Sequence, residues 1–198
     1  MDAFKAEHGL DNRPIIALLP GSRKQEIEKM LSVMLAVIKE FPDYQFVIAG
    51  APSQDKTFYE KFITSEQVHF ITNKTYDLLS VAHAALVTSG TATLETALFK
   101  VPEVVLYKGN EISYQIAKRI ITLKYISLVN LIMDETVVTE LIQGECNPKN
   151  LKNELTKILD PTYRIQLQQK YDLVENKLGG KGASHKTAEL IIKRLARN

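Results

Sequence analysis

Tryptophan is absent from the 198 residues, and aromatic residues make up only 8% of them. That leaves little platform for the successive base stacking by which single-stranded nucleic acid is held. The formal net charge is only +2, so no strong field draws polyanions either, and nucleic acid is not an expected partner. Cysteine is nearly absent too. Cys146 stands alone, which rules out an internal disulfide and points to a reducing, cytoplasmic compartment. Its acidic surroundings, Gly144-Glu145 and Asn147-Pro148, raise a thiol's pKa, so a structural role is expected. His8, His69, His83 and His185 lack the spacing of metal ligands, and no metal or other cofactor is expected. No stretch approaches the run of about 18 apolar residues that a membrane span requires. The opening ten residues carry both charge signs, unlike a signal peptide. Neither a Walker pattern nor a G-x-G-x-x-G fingerprint occurs, which argues against a P-loop ATPase and a dinucleotide oxidoreductase.

What is present is a globular balance of 45% hydrophobic and 24% charged residues, in a length that fits one domain or one domain with a helical appendage. After a short polar lead-in, short apolar runs alternate with helical patterns. Strands are expected at Pro14-Ile15-Ile16-Ala17-Leu18-Leu19 and over 44–50, 68–71, 84–87 and 104–107. The continuous apolar character of the first run is that of a strand buried on both faces. Between the strands, Ile27, Met30, Leu31, Met34, Ile38 and Phe41 recur at helical spacing. Further helices are expected over 54–64, 76–82 and 91–99. Alternation at this pace predicts an α/β fold, a doubly wound parallel sheet with right-handed connections. Beyond Lys108 the pattern predicts a basic helix over 112–123, an extended or looped segment over 125–132 and a helix over 135–143. From Asn150 it is helical, broken at Asp160-Pro161 and at Gly179-Gly180-Lys181-Gly182. The expected division is a sheet domain at 1–150 and a helical C-terminal tail at 151–198.

Two stretches carry the chemistry. Ser89-Gly90-Thr91-Ala92 lies between an apolar strand and a helix, where unpaired N–H groups and the positive end of the helix dipole can hold phosphate. Glu95, one turn further on, is placed to accept hydrogen bonds from a ribose; its plain alternative is a dipole complement worth about 0.3–1 kcal/mol. Pro20-Gly21-Ser22-Arg23 follows the first strand, so it too falls at the carboxyl edge of the sheet. There Gly21 permits close backbone approach, Ser22 follows it, and Arg23 can fork onto phosphate oxygens; the alternative is an ordinary turn with a surface Arg. Together these loops outline a nucleotide site. Asn130, polar within Ser127-Leu128-Val129-Asn130-Leu131, is either a satisfied turn residue or a ligand contact. The basic helix over 114–125 reads first as a solvated face and second as a membrane-surface contact.

These residues, in this order, resemble the carboxyl-terminal half of the lipid-A-disaccharide synthases, glycosyltransferases of GT-B fold. The resemblance runs over about 13–151. It is carried by Leu18-Leu19-Pro20-Gly21-Ser22-Arg23 with Glu26-Ile27, by Ser89-Gly90-Thr91-Ala92-Thr93-Leu94-Glu95, and by Ala117-Lys118-Arg119. It continues in Tyr125-Ile126-Ser127-Leu128-Val129-Asn130-Leu131 and Glu140-Leu141-Ile142-Gln143. The resemblance implies an inverting hexosyl transfer in lipid A biosynthesis. A diacylglucosamine passes from UDP to the 6-hydroxyl of diacylglucosamine 1-phosphate, without a metal. It implies that Glu95 holds ribose, that backbone near Thr72 and Asn73 faces uracil, and that Arg23 and Asn130 steady the departing phosphates. It implies further that the acceptor site and general base belong to an amino-terminal domain absent from these 198 residues, so that the chain alone binds without catalysing. A lipid acceptor implies contact with the inner face of the bacterial inner membrane. The apolar tail residues Leu190, Ile191, Ile192 and Leu195 leave open a homodimer. The sequence departs from the family at Val129, where Pro is common, and at Asp134-Glu135, where an Arg is common. A domain of another GT-B protein, such as a UDP-sugar epimerase or another nucleotide-sugar transferase, and a non-catalytic interaction module are the competing readings.

Overall fold

In the computed structural model, residues 2–109, 124–179 and 182–195 are described. A short helix α1 (Asp2–Glu7) leads into β1 (Ile15–Leu19), α2 (Lys24–Leu35) and β2 (Gln45–Gly50). Then come α3 (Lys56–Glu60), β3 (Val68–Thr72), α4 (Thr75–Val81), β4 (Ala84–Thr88), α5 (Thr91–Leu98) and β5 (Glu103–Tyr107). The second part of the chain supplies α6 (Leu128–Met133), β6 (Thr139–Ile142), α7 (Pro148–Leu159), α8 (Pro161–Lys177) and α9 (Ala183–Leu195).

The sheet order is β3-β2-β1-β4-β5-β6, with every neighbouring pair parallel. From β1 the chain winds outward through β2 and β3, then returns past β1 to build β4, β5 and β6. The reversal lies between β1 and β4, and in open parallel sheets the crevice at the carboxyl ends of such a pair is where ligands bind. Residues of β1 alternate between two cores, as the period of a strand demands. Ile16 and Leu18 join a cluster with Ile27, Met30, Leu151, Leu155, Leu167 and Tyr171. Ile15, Ala17 and Leu19 join Leu78, Leu79, Val87 and Val101 on the other face. The doubly wound parallel sheet is therefore the one the alternation predicts, and α7 and α8 pack into its first core.

Two local expectations fail beyond residue 124. The segment expected as extended or looped contains helix α6, started by Ser127, whose hydroxyl accepts the Asn130 N–H at 3.3 Å. The segment expected as a helix contains the sixth strand, β6, in register with β5 from Val104↔Thr139 to Tyr107↔Ile142. The reason is visible in the pattern: Val137, Val138, Leu141 and Ile142 satisfy helical spacing as well as they do a short strand. Pairing with the open edge of β5 decides between them. The expected basic helix over 112–123, including Ala117-Lys118-Arg119, lies outside the described residues, as do Gly180 and Lys181. Helix α9 leaves Leu190, Ile191, Ile192 and Leu195 more than half exposed. No helix among the described residues is long and apolar enough to cross a membrane.

Candidate functional site

The crevice between the β1 and β4 carboxyl ends is a cavity of about 490 Å³. Its walls include Gly21, Ser22, Arg23, Ser89, Gly90, Thr91, Ala92 and Glu95. The two loops singled out in the sequence thus meet across the switch point, and Glu95 lines the same cavity.

Each loop is built by local rules. Gly21 sits at φ +101°, a left-handed conformation that L side chains disfavour. It lets the chain turn from β1 so that the Ser22 N–H meets Glu26 Oε2 at 3.1 Å. Ser53 Oγ donates to the Ser22 carbonyl at 2.8 Å, tying this loop to the one after β2. Arg23 is extended at the N-cap of α2, and its carbonyl accepts the Ile27 N–H at 2.9 Å. The geometry yields an expected result: Gly21→Ala places Cβ 2.2 Å from Glu26 Oε2, in addition to the strain at positive φ. Urea unfolding should show a loss of about 1–3 kcal/mol; an unchanged midpoint would mean that the turn relaxes.

On the β4 side, the Ser89 N–H donates to the Leu106 carbonyl at 2.9 Å and Ser89 Oγ donates to the Ile126 carbonyl at 3.0 Å. The Ser89 hydroxyl is therefore anchored to the chain, leaving its oxygen as an acceptor. Gly90 caps α5 with no side chain, so the first N–H groups of that helix lack a capping partner. A Cβ at Gly90 would meet nothing within 4 Å. The absent side chain therefore leaves the helix tip open toward the cavity.

Glu95 borders this cavity and a second one of about 450 Å³ lined by Asn73, Lys74, Thr75, Tyr76 and Asp77. Tyr76 Oη donates to Glu95 Oε1 at 2.8 Å. The carboxylate beside it holds the phenol above its ordinary pKa. Asn73 stands in the left-handed region at φ 55°. Thr72 pairs with Gly50 at the end of β3 and contributes to neither cavity.

Asn130 stands apart from the crevice residues. Its side chain is 0% exposed, and its hydrogen bonds are taken up within the fold. Nδ2 donates to the Val138 carbonyl and to Glu140 Oε1, both at 2.9 Å. Oδ1 accepts the Val137 and Val138 N–H groups at 2.8 and 2.9 Å. Of the two readings open in the sequence, the structure supports the satisfied residue: Asn130 fastens α6 to β6. Glu140 completes this lock by accepting the Ile126 and Ser127 N–H groups. At the divergent positions, Asp134 pairs with Lys124 at 3.3 Å and Glu135 with Lys170 at 2.8 Å. Cys146 is buried, and burial pushes its thiol up. The structural role stands, though desolvation is the leading cause instead of acidic neighbours.

Glu26 and Tyr76 are the participants that the site reading missed. Glu26 was visible only as part of a motif, and nothing in the sequence joins Tyr76 to a glutamate 19 positions away.

Comparison with known proteins extends the assignment. The profile of the lipid-A-disaccharide synthetase family matches residues 2–194. The lipid-A-disaccharide synthase of Syntrophus aciditrophicus is 38% identical over 185 residues, covering 89% of this chain and 48% of that protein. The corresponding protein of Geobacter sulfurreducens is 33% identical, covering 99% and 53%. The chain spans about half the length of the curated relatives it matches. Among solved structures, a glycotransferase of kitacinnamycin aligns with a TM-score of 0.62 at 14% identity, covering 92% of this chain and 43% of that one. The UDP-GlcNAc 2-epimerase of Neisseria meningitidis, bound to UDP-GlcNAc, aligns at 0.56 with 18% identity, covering 100% and 48%. At such identities the likeness is one of fold, the GT-B glycosyltransferase architecture.

Proposed function

The chain belongs to the lipid-A-disaccharide synthetase family, and on that footing we propose that it is the half of such an enzyme that binds the nucleotide-sugar donor. The observation that carries the proposal is the meeting of the Gly21–Arg23 loop, the α5 tip and Glu95 in one cavity at the switch point. In this reading the diphosphate of a UDP-linked diacylglucosamine lies between Arg23 and the N–H groups at Thr91 and Ala92. The Ser22 and Ser89 region and Gly90 line its path. The ribose hydroxyls donate to Glu95, with Tyr76 holding the carboxylate in place, and uracil lies toward Asn73 and the end of β3 at Thr72.

The chemistry follows from charge. When the acceptor hydroxyl attacks the anomeric carbon, the bond to the UDP oxygen breaks and negative charge grows on the diphosphate. Arg23 and the α5 N-terminus already stand where that charge develops, so they stabilise the transition state without reorganising. No metal or other cofactor is needed for this step. The general base and most of the acceptor site belong, in this proposal, to the other half of the full-length relatives. The 198 residues then bind donor without turning it over. The lipid nature of both substrates places the reaction at the inner face of the bacterial inner membrane, with this half on the cytoplasmic side.

Calorimetric titration tests the proposal. UDP should bind and ADP should bind more weakly. Glu95→Ala should weaken UDP about tenfold, the loss of one charge-assisted hydrogen bond at a partly exposed site. Equal affinity for the two nucleotides, or a Glu95→Ala variant that binds UDP normally, would sink it.

A further inference from the structure

A third cavity, of about 470 Å³, lies on the other side of Arg23. It shares Arg23, Glu26 and Thr88 with the first cavity and reaches from the start of α2 to the end of β5. Its walls carry Arg23, Lys24, Lys29 and Lys108, with Glu26 as the only carboxylate among the described residues. Among the described residues, none of these four cations forms an ion pair. Lys24 has instead the Phe58 ring 5.9 Å away, and Glu26 is engaged by the Ser22 N–H. The concentration of unpaired positive charge is local, since the chain as a whole is only +2.

A second feature lies in the wall itself. Thr88, at the last position of β4, is 4% exposed, and its Oγ1 has no hydrogen-bond partner among the described residues. A buried hydroxyl without a partner loses its hydrogen bonds to water and gains nothing in return. Such a group in the wall common to two cavities is accounted for if a ligand oxygen completes it.

We propose that this cavity is a second phosphate site, separate from the nucleotide's diphosphate, and that it receives the phosphate of the phosphorylated sugar acceptor. The inference rests on the donor-site reading of the first cavity. An acceptor whose hydroxyl attacks beside Arg23 carries its own phosphate on the same sugar, and the two cavities adjoin at Arg23, Glu26 and Thr88. Lys29 and Lys108 supply charge, Thr88 supplies a hydroxyl, and Arg23 stands between the two phosphate groups. The sugar and acyl chains of the acceptor remain with the other half of the enzyme; its phosphate is held here.

Amide NMR titration of the full 198-residue chain, first saturated with UDP, tests this with glucosamine 1-phosphate as the soluble probe. Shifts should gather at Lys29, Thr88, Lys108 and Gly109, and UDP should not be displaced. The Lys29→Ala/Lys108→Ala double variant should weaken the sugar phosphate about tenfold or more, for two lost charge-assisted contacts, with UDP affinity unchanged. Thr88→Val should weaken it too, while leaving the unliganded chain at least as stable. Competition between glucosamine 1-phosphate and UDP, or indifference to the lysine variant, overturns the inference while UDP binding leaves the donor reading intact. If UDP fails to bind but the sugar phosphate still binds through the two lysines, the donor reading falls and the phosphate site stands. Phosphatidylglycerol vesicles form the second arm. Lysine-dependent binding to vesicles, without binding of the sugar phosphate, would assign the charge to a lipid surface and overturn the proposal.

Discussion

Replacing Arg23 with alanine should weaken UDP binding roughly thirty- to a hundredfold and leave the fold intact. The size follows from the chemistry of the contact. A guanidinium forked onto diphosphate oxygens makes charge-assisted hydrogen bonds about twice as strong as neutral ones, and removing one side of such a pair costs about 2–3 kcal/mol. Folding should be indifferent, because Arg23 is exposed and makes no ion pair among the described residues. Its backbone carbonyl, which begins α2 by accepting the Ile27 N–H, survives the substitution. Arg23→Lys separates charge from geometry. A lysine keeps the positive charge but loses the planar fork, so it should recover part of the affinity and not all of it. Lys39→Ala, an exposed lysine remote from the cavities, controls for the loss of one positive charge. Calorimetry with UDP on the three variants decides. An Arg23→Ala loss no greater than that of Lys39→Ala would remove Arg23 from the proposed nucleotide site.

The legibility of this site differs residue by residue. The two βα loops could be read because each is punctuated where a buried strand ends, by Pro20-Gly21 after β1 and by Gly90 after β4. Their meeting could be inferred because in a doubly wound sheet both sit at carboxyl ends. Glu95 could be read because one helical turn returns it to the same mouth. Tyr76 could not, because its partner is brought to it by the parallel crossover from α4 through β4 to α5, a tertiary event without a local signal. Asn130 shows the limit from the other side. A polar residue in an apolar run signals that something satisfies it, but not what. The satisfying groups here are the main chain at Val137 and Val138 and the Glu140 carboxylate, and these become neighbours only when β6 pairs with β5. The strand that the periodicity misread is thus the strand that explains the asparagine.

Glu103 gives the largest expected effect on stability. It opens β5 opposite Ala85, is 0% exposed, and neither of its carboxyl oxygens has a hydrogen-bond partner among the described residues. Lys100, three positions earlier in the chain, is engaged elsewhere: its Nζ lies 2.8 Å from Asp172 and 2.7 Å from Glu175 on α8. The neighbouring titratable group is Tyr171 on the same helix, whose phenol is itself pushed well up by burial and by Glu103. Desolvation alone holds the Glu103 carboxyl well above its ordinary range, so the folded chain keeps a proton that the unfolded chain releases near pH 4.3. The sign follows. Stability from this residue is fully present below the unfolded pKa and is lost as pH rises through the interval up to the folded pKa, at about 1.4 kcal/mol per pH unit. Glu103→Met, similar in volume and without unpaired oxygens, should therefore be more stable than the parent by about 1–3 kcal/mol near pH 5. Its advantage should grow as pH rises above the unfolded carboxyl's range, by that same slope wherever the folded carboxyl stays protonated. Glu103→Gln should flatten the pH dependence without the packing gain, since it keeps polar atoms and loses only the titration. Urea unfolding of all three at several pH values in this interval reads both effects. Parallel stability profiles for the parent chain and the Glu103→Met variant would show that the carboxyl finds solvent or a partner in the folded state, and the cost of burying it would have to be withdrawn.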